Sequence, residues 1–294
     1  MTESVMNKTM DRLDLYTPQV AAIITELNSL IRTLQAQGLA ASSWYGTLDL
    51  PHQPVSVERA GRGIGYEPLE GAADDRLFPW FLYWEIAWVA GHSDFRPGQR
   101  VLDLGGASSL FSFYLAHKGC RVVTVDLQAN LVENANRVAR RMGWDMENMK
   151  SDMRVLSFSD VFDHVTSICV FEHLPIKDRM RVVSRVRDWL RPGGRFSITF
   201  DYRNPARSMQ IGSVEDVERQ FVLPSNLRVR DNRIFADNRQ NYLLHPFYFH
   251  KPYSLLRFKI HSVLRGDFPA HDFFRPKHEN DYTFGALFLE KAEG

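Results

Sequence analysis

The run VLDLGGASSLFSFYLAHKGCRVVTVDLQ, residues 101–128, holds the residue types and spacing best suited to chemistry. An apolar strand carries Asp103 near its end. A turn of small residues (Gly105, Gly106, Ala107, Ser108, Ser109) follows, then a helix, then a second strand ending in Asp126. Small residues let a ligand approach the backbone closely. The carboxyl ends of parallel strands are where α/β sheets hold ligands. An acid ending the second strand can accept both ribose hydroxyls, so the pattern reads as a nucleoside site. It is not a dinucleotide fingerprint, because G-x-G-x-x-G is replaced by G-G-A-S-S-L. The Gly-Lys-Ser/Thr of a P-loop is absent as well, so no phosphate cradle is expected.

The elements around this run fall into a regular order. Strands are expected at 101–104, 121–127, 164–171 and 195–202, with a weak one near 148–151. Helices should follow the first turn and cover 129–142 and 176–190. Strands alternating with helices at this spacing mean βαβ units and a parallel sheet. Ahead of them, Thr17 and Pro18 open a helix at 18–36 that closes near Gly38. A second helix at 77–90 carries Trp80, Phe81, Tyr83, Trp84 and Trp88 and should be largely buried. Residues 42–76 read as loop. Residues 203–255 read as irregular, with a short helix around 214–222. KIHSVLRGDF and YTFGALFLEK could pair as a final antiparallel edge.

The 294 residues carry 36 basic and 35 acidic side chains, a formal net charge of +1. That balance argues against a general nucleic-acid or anionic-membrane surface. The sum hides an asymmetry: residues 1–95 hold 6 basic and 12 acidic residues, and residues 96–294 hold 30 and 23. The two parts read as a cap with a complementary surface folded onto a body. Cys120 and Cys169 sit in apolar runs and do not form a disulfide framework or a zinc signature. No stretch reaches about 18 uninterrupted apolar residues, so no membrane span is expected. The N-terminal 15 residues lack a signal-peptide pattern, and the chain reads as cytoplasmic.

The ordered landmarks resemble those of class I S-adenosylmethionine (SAM)-dependent methyltransferases. The family motif D-x-G-x-G-x-G is matched by Asp103, Gly105, Ala107 and Ser109, with the first glycine kept and the other two replaced by small residues. Asp126 matches the acid of the second strand. Ser151–Arg154 matches the polar adenine segment, the stretch from Phe158 to Pro175 resembles the F-D-x-V…E-H-L-P run, and RPGG matches the turn before strand five. The resemblance covers residues 96–202 well and the last strand moderately. It implies a Rossmann-like α/β three-layer sandwich, with a mostly parallel sheet and an antiparallel last strand. Residues 1–95 would be an N-terminal helical cap, and residues 96–294 the SAM-binding domain, with an insertion at about 203–255.

The resemblance further implies SAM as cofactor. Asp126, with Leu127 beside it, would hold the ribose. Asp152 and Met153 would meet the adenine. Gly105, Gly106 and Ala107 would lie against the methionine end, with Asp103 anchoring the turn or the cofactor's amine. Cys169 would offer backbone to the same region.

For the transfer itself, Glu172 and His173 follow strand four, where the sheet opens onto the substrate, and His173 is a candidate base. A small-molecule acceptor, methylated at oxygen or nitrogen, is the leading expectation. The alternatives are a non-catalytic partner subunit that keeps the fold, or an RNA methyltransferase using Lys177, Arg179, Arg181, Arg185, Arg187 and Arg191. No metal is expected: His271-Asp272 and His278-Glu279 are spaced in no recognised ligand pattern. Oligomeric state stays open.

Overall fold

The computed structural model describes residues 5–42, 48, 78–159, 161–204, 211–243 and 281–293. The His271-Asp272 and His278-Glu279 pairs and the strand expected in KIHSVLRGDF lie outside the described residues.

The strands are β1 (Lys8–Thr9), β2 (Arg100–Leu104), β3 (Arg121–Asp126), β4 (Met146–Lys150), β5 (Phe162–Ile168), β6 (Leu190–Tyr202), β7 (Arg228–Val229), β8 (Tyr242–Leu243) and β9 (Asp281–Glu290). The principal helices are α1 (Pro18–Ala36), α2 (Trp80–His92), α3 (Leu110–His117), α4 (Ala129–Met142) and α5 (Ile176–Trp189). The sheet order is β1-β9-β6-β5-β2-β3-β4, and β7 and β8 also pair with β9. β2 through β6 pair in parallel, while β9 runs antiparallel to β6 from Tyr202↔Thr283 to Arg195↔Glu290. This is the mostly parallel sheet with a reversed last strand that the sequence implies.

Period-two alternation divides the sheet between two apolar layers. Val101, Val122, Phe284, Ala286 and Phe288 face α1, α2 and α3. Leu102, Leu104, Val123, Val125, Leu287 and Leu289 face α5 and the helical stretch 214–225. The sandwich therefore has three layers. β6 begins five residues earlier than expected, so the RPGG turn is built into the strand rather than preceding it.

The aromatic helix α2 is core: residues 80–89 are all buried, Glu85 among them. The N-terminal segment is knitted into the same body. β1 adds to the sheet beside β9, Trp84 Nε1 donates to Asp14 Oδ2 (2.9 Å), and Tyr114 Oη donates to Glu26 Oε2 (2.6 Å). The ion pairs Glu26–Lys118 and Asp94–Arg195 join residues before and after position 95. Among the described residues, no helix is long and apolar enough to cross a membrane.

The basic run on α5 is not a continuous surface. Arg179 is fully buried and donates to the carbonyls of Phe171 and Leu174 and to Gln220. Arg185 donates to the carbonyls of Arg154 and Leu156.

Candidate active site

The first turn is organised around Asp103. Its carboxylate is buried beneath the turn. Ser112 Oγ lies 2.5 Å from Oδ2, and Thr166 Oγ1 donates to Oδ1 (2.9 Å). Burial lifts its pKa to about 6, against the pull of these hydroxyls. Gly106 sits directly over it: a Cβ there would lie 1.8 Å from Asp103 Oδ2. Gly105 has φ +79 and donates its N–H to Val125 O, tying the turn to β3. Ser109 caps α3 by accepting from Ser112 N (3.0 Å). Ser108 takes φ +65, and its Oγ donates to Leu131 O. Ala107 is buried. The two missing motif glycines are thus one packed alanine and one helix cap.

Asp126 closes β3. Oδ1 accepts from Gln128 N (2.9 Å), and partial burial raises its pKa while backbone N–H groups pull it down. A carboxylate has about four acceptor positions. Asp126 therefore keeps capacity for a pair of hydroxyls. Beside it Leu127 is 65% exposed, and Val155, beyond the end of β4, is 69% exposed. Apolar side chains left open beside a ribose-type acid suit the face of a purine.

Asp152 caps the turn Met153–Val155. Its carboxylate is clasped by Arg154 through Nε and Nη2 (2.6–3.0 Å), which holds its pKa below the usual carboxylate range. Arg154 is held in turn by Asp178 (3.1 Å). Met153 is half-buried against the α5 layer.

At the ends of β5 and β6 the structure brings together residues that the sequence leaves scattered. Cys169 takes φ +55, and its N–H donates to Thr199 Oγ1 (3.1 Å). Glu172 turns inward and is buried. His173 turns outward, 54% exposed at its side chain, with Nε2 3.8 Å from Glu172 Oε1. Cys169, Glu172 and Asp201 each present a ligating atom within 4.8 Å of the others. Glu85 and Asp201 are the residues that sequence reasoning passed over. Their signals were there: Glu85 is the one charge in WFLYWEIAWVA, and Asp201 lies one residue before the end of an apolar strand.

Residues 101–194 match the family model of the methyltransferase domain. The cypemycin N-terminal methyltransferase of a Streptomyces species is 32% identical over 131 residues, covering 43% of this chain and 51% of that protein. The ubiquinone biosynthesis O-methyltransferase of Aeromonas salmonicida is 28% identical over 122 residues, covering 41% and 50%. The chain spans about half the length of these curated relatives. The fold of the crystal structure of the [4+2]-cyclase SpnF superposes with a TM-score of 0.53 at 14% identity, covering 94% of this chain and 96% of that one.

Within residues 101–194 the residues expected to line a cofactor divide into two sets. Asp126, Leu127 and the 105–107 turn present open acceptors, an apolar face and close backbone. Asp103 and Asp152 are committed to holding the turn and Arg154. The open carboxylate of Asp126 and the close backbone of the turn would fit a nucleoside cofactor such as SAM.

Proposed function

We propose that the chain transfers a methyl group from SAM to a small-molecule acceptor at oxygen or nitrogen. The observation that carries this reading is the pairing of the Gly105–Ala107 turn, locked over Asp103, with the open carboxylate of Asp126 at the next strand end. Asp126 would take the ribose hydroxyls, Leu127 and Met153 the adenine face, and the turn the methionine end. Bound there, SAM supplies an electrophilic methyl group on a sulfonium. The chain's own work is alignment, which is the main source of rate in such a displacement.

The acceptor side is the buried acid group at the ends of β5 and β6, next to the turn. A Cβ on Gly105 would press within 2.7 Å of Val170, so the 169–172 loop and the cofactor turn touch. Glu172 is the candidate proton acceptor. His173, outside it, is placed to orient Glu172 rather than to meet a substrate.

A second reading keeps the cofactor pocket without methyl transfer. Its support is the near full-length fold match to SpnF, whose named reaction is a cyclisation. Incubation with radiolabelled SAM and a metabolite panel separates the two: methyl incorporation into any acceptor supports the first, and tight SAM binding with no incorporation supports the second.

A further inference from the structure

Four side chains converge beside the 169–172 loop: Glu85 from α2, Cys169 and Glu172 from the loop, and Asp201 from β6. Glu85 has no accessible surface. Its Oε1 accepts from Thr199 Oγ1 (2.6 Å), while Oε2 is buried without a hydrogen-bond partner. The charges acting on it, Glu172 and Asp201, are both negative. The Cys169 thiol, 3.5 Å from Asp201 Oδ1, lies beside Glu85 as well. Burial and this repulsion push the Glu85 carboxyl well above its ordinary range, and the Cys169 thiol likewise. A buried, unmet carboxylate oxygen is costly and rare in folded proteins.

We propose that this group receives the acceptor's nitrogen, so that the acceptor is an amine taken up as its ammonium form. The inference rests on the methyl-transfer reading above. An ammonium carries several donors and no acceptor, which matches a site made of carboxylate oxygens. Its positive charge also relieves the mutual repulsion of Glu85, Glu172 and Asp201. A hydroxyl offers one donor, and its ionisation would add a further negative charge to the group. In the step, one ammonium proton passes to Glu172. The freed nitrogen lone pair forms the N–C bond to the methyl carbon, and the C–S bond breaks with its electron pair left on sulfur. The product nitrogen is again cationic among the acids, and the proton on Glu172 leaves to water.

The test is calorimetry on the full chain saturated with demethylated cofactor, S-adenosylhomocysteine. The probes are methylamine, ethanolamine, 2-phenylethylamine and glycine ethyl ester, each against the isosteric alcohol or, for ethanolamine, ethylene glycol. At least one amine is expected to bind about tenfold tighter than its counterpart, the scale of one charge-assisted contact. Glu85→Gln and Asp201→Asn should each erase that preference while leaving the affinity for S-adenosylhomocysteine unchanged. Each variant serves as the check should the other fail to fold. Equal or tighter binding of the alcohols overturns the proposal, as does binding of no probe. Tight binding of Mg²⁺, Mn²⁺ or Zn²⁺ that both variants abolish also overturns it, and assigns the group to a metal. Failure to bind S-adenosylhomocysteine is a different outcome, and it removes the methyl-transfer reading itself.

Discussion

The Cβ that Gly106 lacks would lie 1.8 Å from Asp103 Oδ2 and 2.8 Å from Ser112 Oγ. The glycine and the buried acid are therefore one device: Asp103 fills the space beneath the turn, and only a residue without a side chain can cross over it. Gly106→Ala must displace Asp103 or the turn. It is expected to cost about 2–4 kcal/mol by chemical denaturation, the range of overpacking and broken buried networks. Gly143→Ala is the control. Gly143 has φ +69, and a Cβ there would meet nothing within 4 Å. Only backbone strain of about 1 kcal/mol is expected, with cofactor binding unchanged.

Asp103 also sets a pH dependence. Its pKa rises from 3.8 when unfolded to about 6 in the buried site. The folded state thus holds this proton more tightly than the unfolded chain. Ionisation costs stability, which is highest below pH 4, falls between about pH 4 and 6, and is level above. The loss is on the order of 3 kcal/mol for this group. Glu85, raised in the same sense, extends the decline to higher pH. Asp103→Asn should flatten the pH 4–6 segment in denaturation curves. An unchanged slope would show that the proton sits elsewhere.

Trp84 ties the N-terminal segment to the core. Its Nε1 donates to Asp14 Oδ2, and its ring stacks on Trp88 at 5.7 Å. Trp84→Phe removes the donor and leaves a gap. A loss of about 2–3 kcal/mol is expected in thermal or denaturant unfolding, with a single transition retained. Two separated transitions would show that the segment melts as an independent cap.

Arg154 clasps Asp152 and bridges to Asp178. Arg154→Ala would release the Asp152 carboxylate. Cofactor affinity by calorimetry is expected to change less than about tenfold, because Asp126 rather than Asp152 is the open acid. A much larger loss would make the Arg154–Asp152 pair part of the cofactor site.

The parallel sheet was legible in the sequence because buried strands such as VLDL and RVVTVD are short apolar runs with turns at their ends. The small-residue turn over Asp103 was legible because small residues and acids recur at fixed distances along one βαβ unit. The buried acid group at the ends of β5 and β6 was not. Glu85 and Asp201 are 116 positions apart in the chain, and only the packing of α2 against β6 brings them together. Glu85 also sat inside an aromatic helix whose hydrophobicity concealed a single buried acid. The arginines of α5 misled for the opposite reason: Arg179 lies among exposed-looking neighbours, yet it spends its donors on the Phe171 and Leu174 carbonyls inside the fold. The replaced motif glycines likewise have local explanations, in the Ser109 cap and the buried Ala107.

The most direct measurement is calorimetric titration of the full chain with SAM and with S-adenosylhomocysteine, repeated on Asp126→Ala. The account predicts that both ligands bind the unaltered chain and that the variant loses about 10- to 100-fold in affinity, the worth of one or two charge-assisted hydrogen bonds, with its unfolding midpoint little changed. No binding of either ligand to the unaltered chain, or equal binding to the variant, would contradict it.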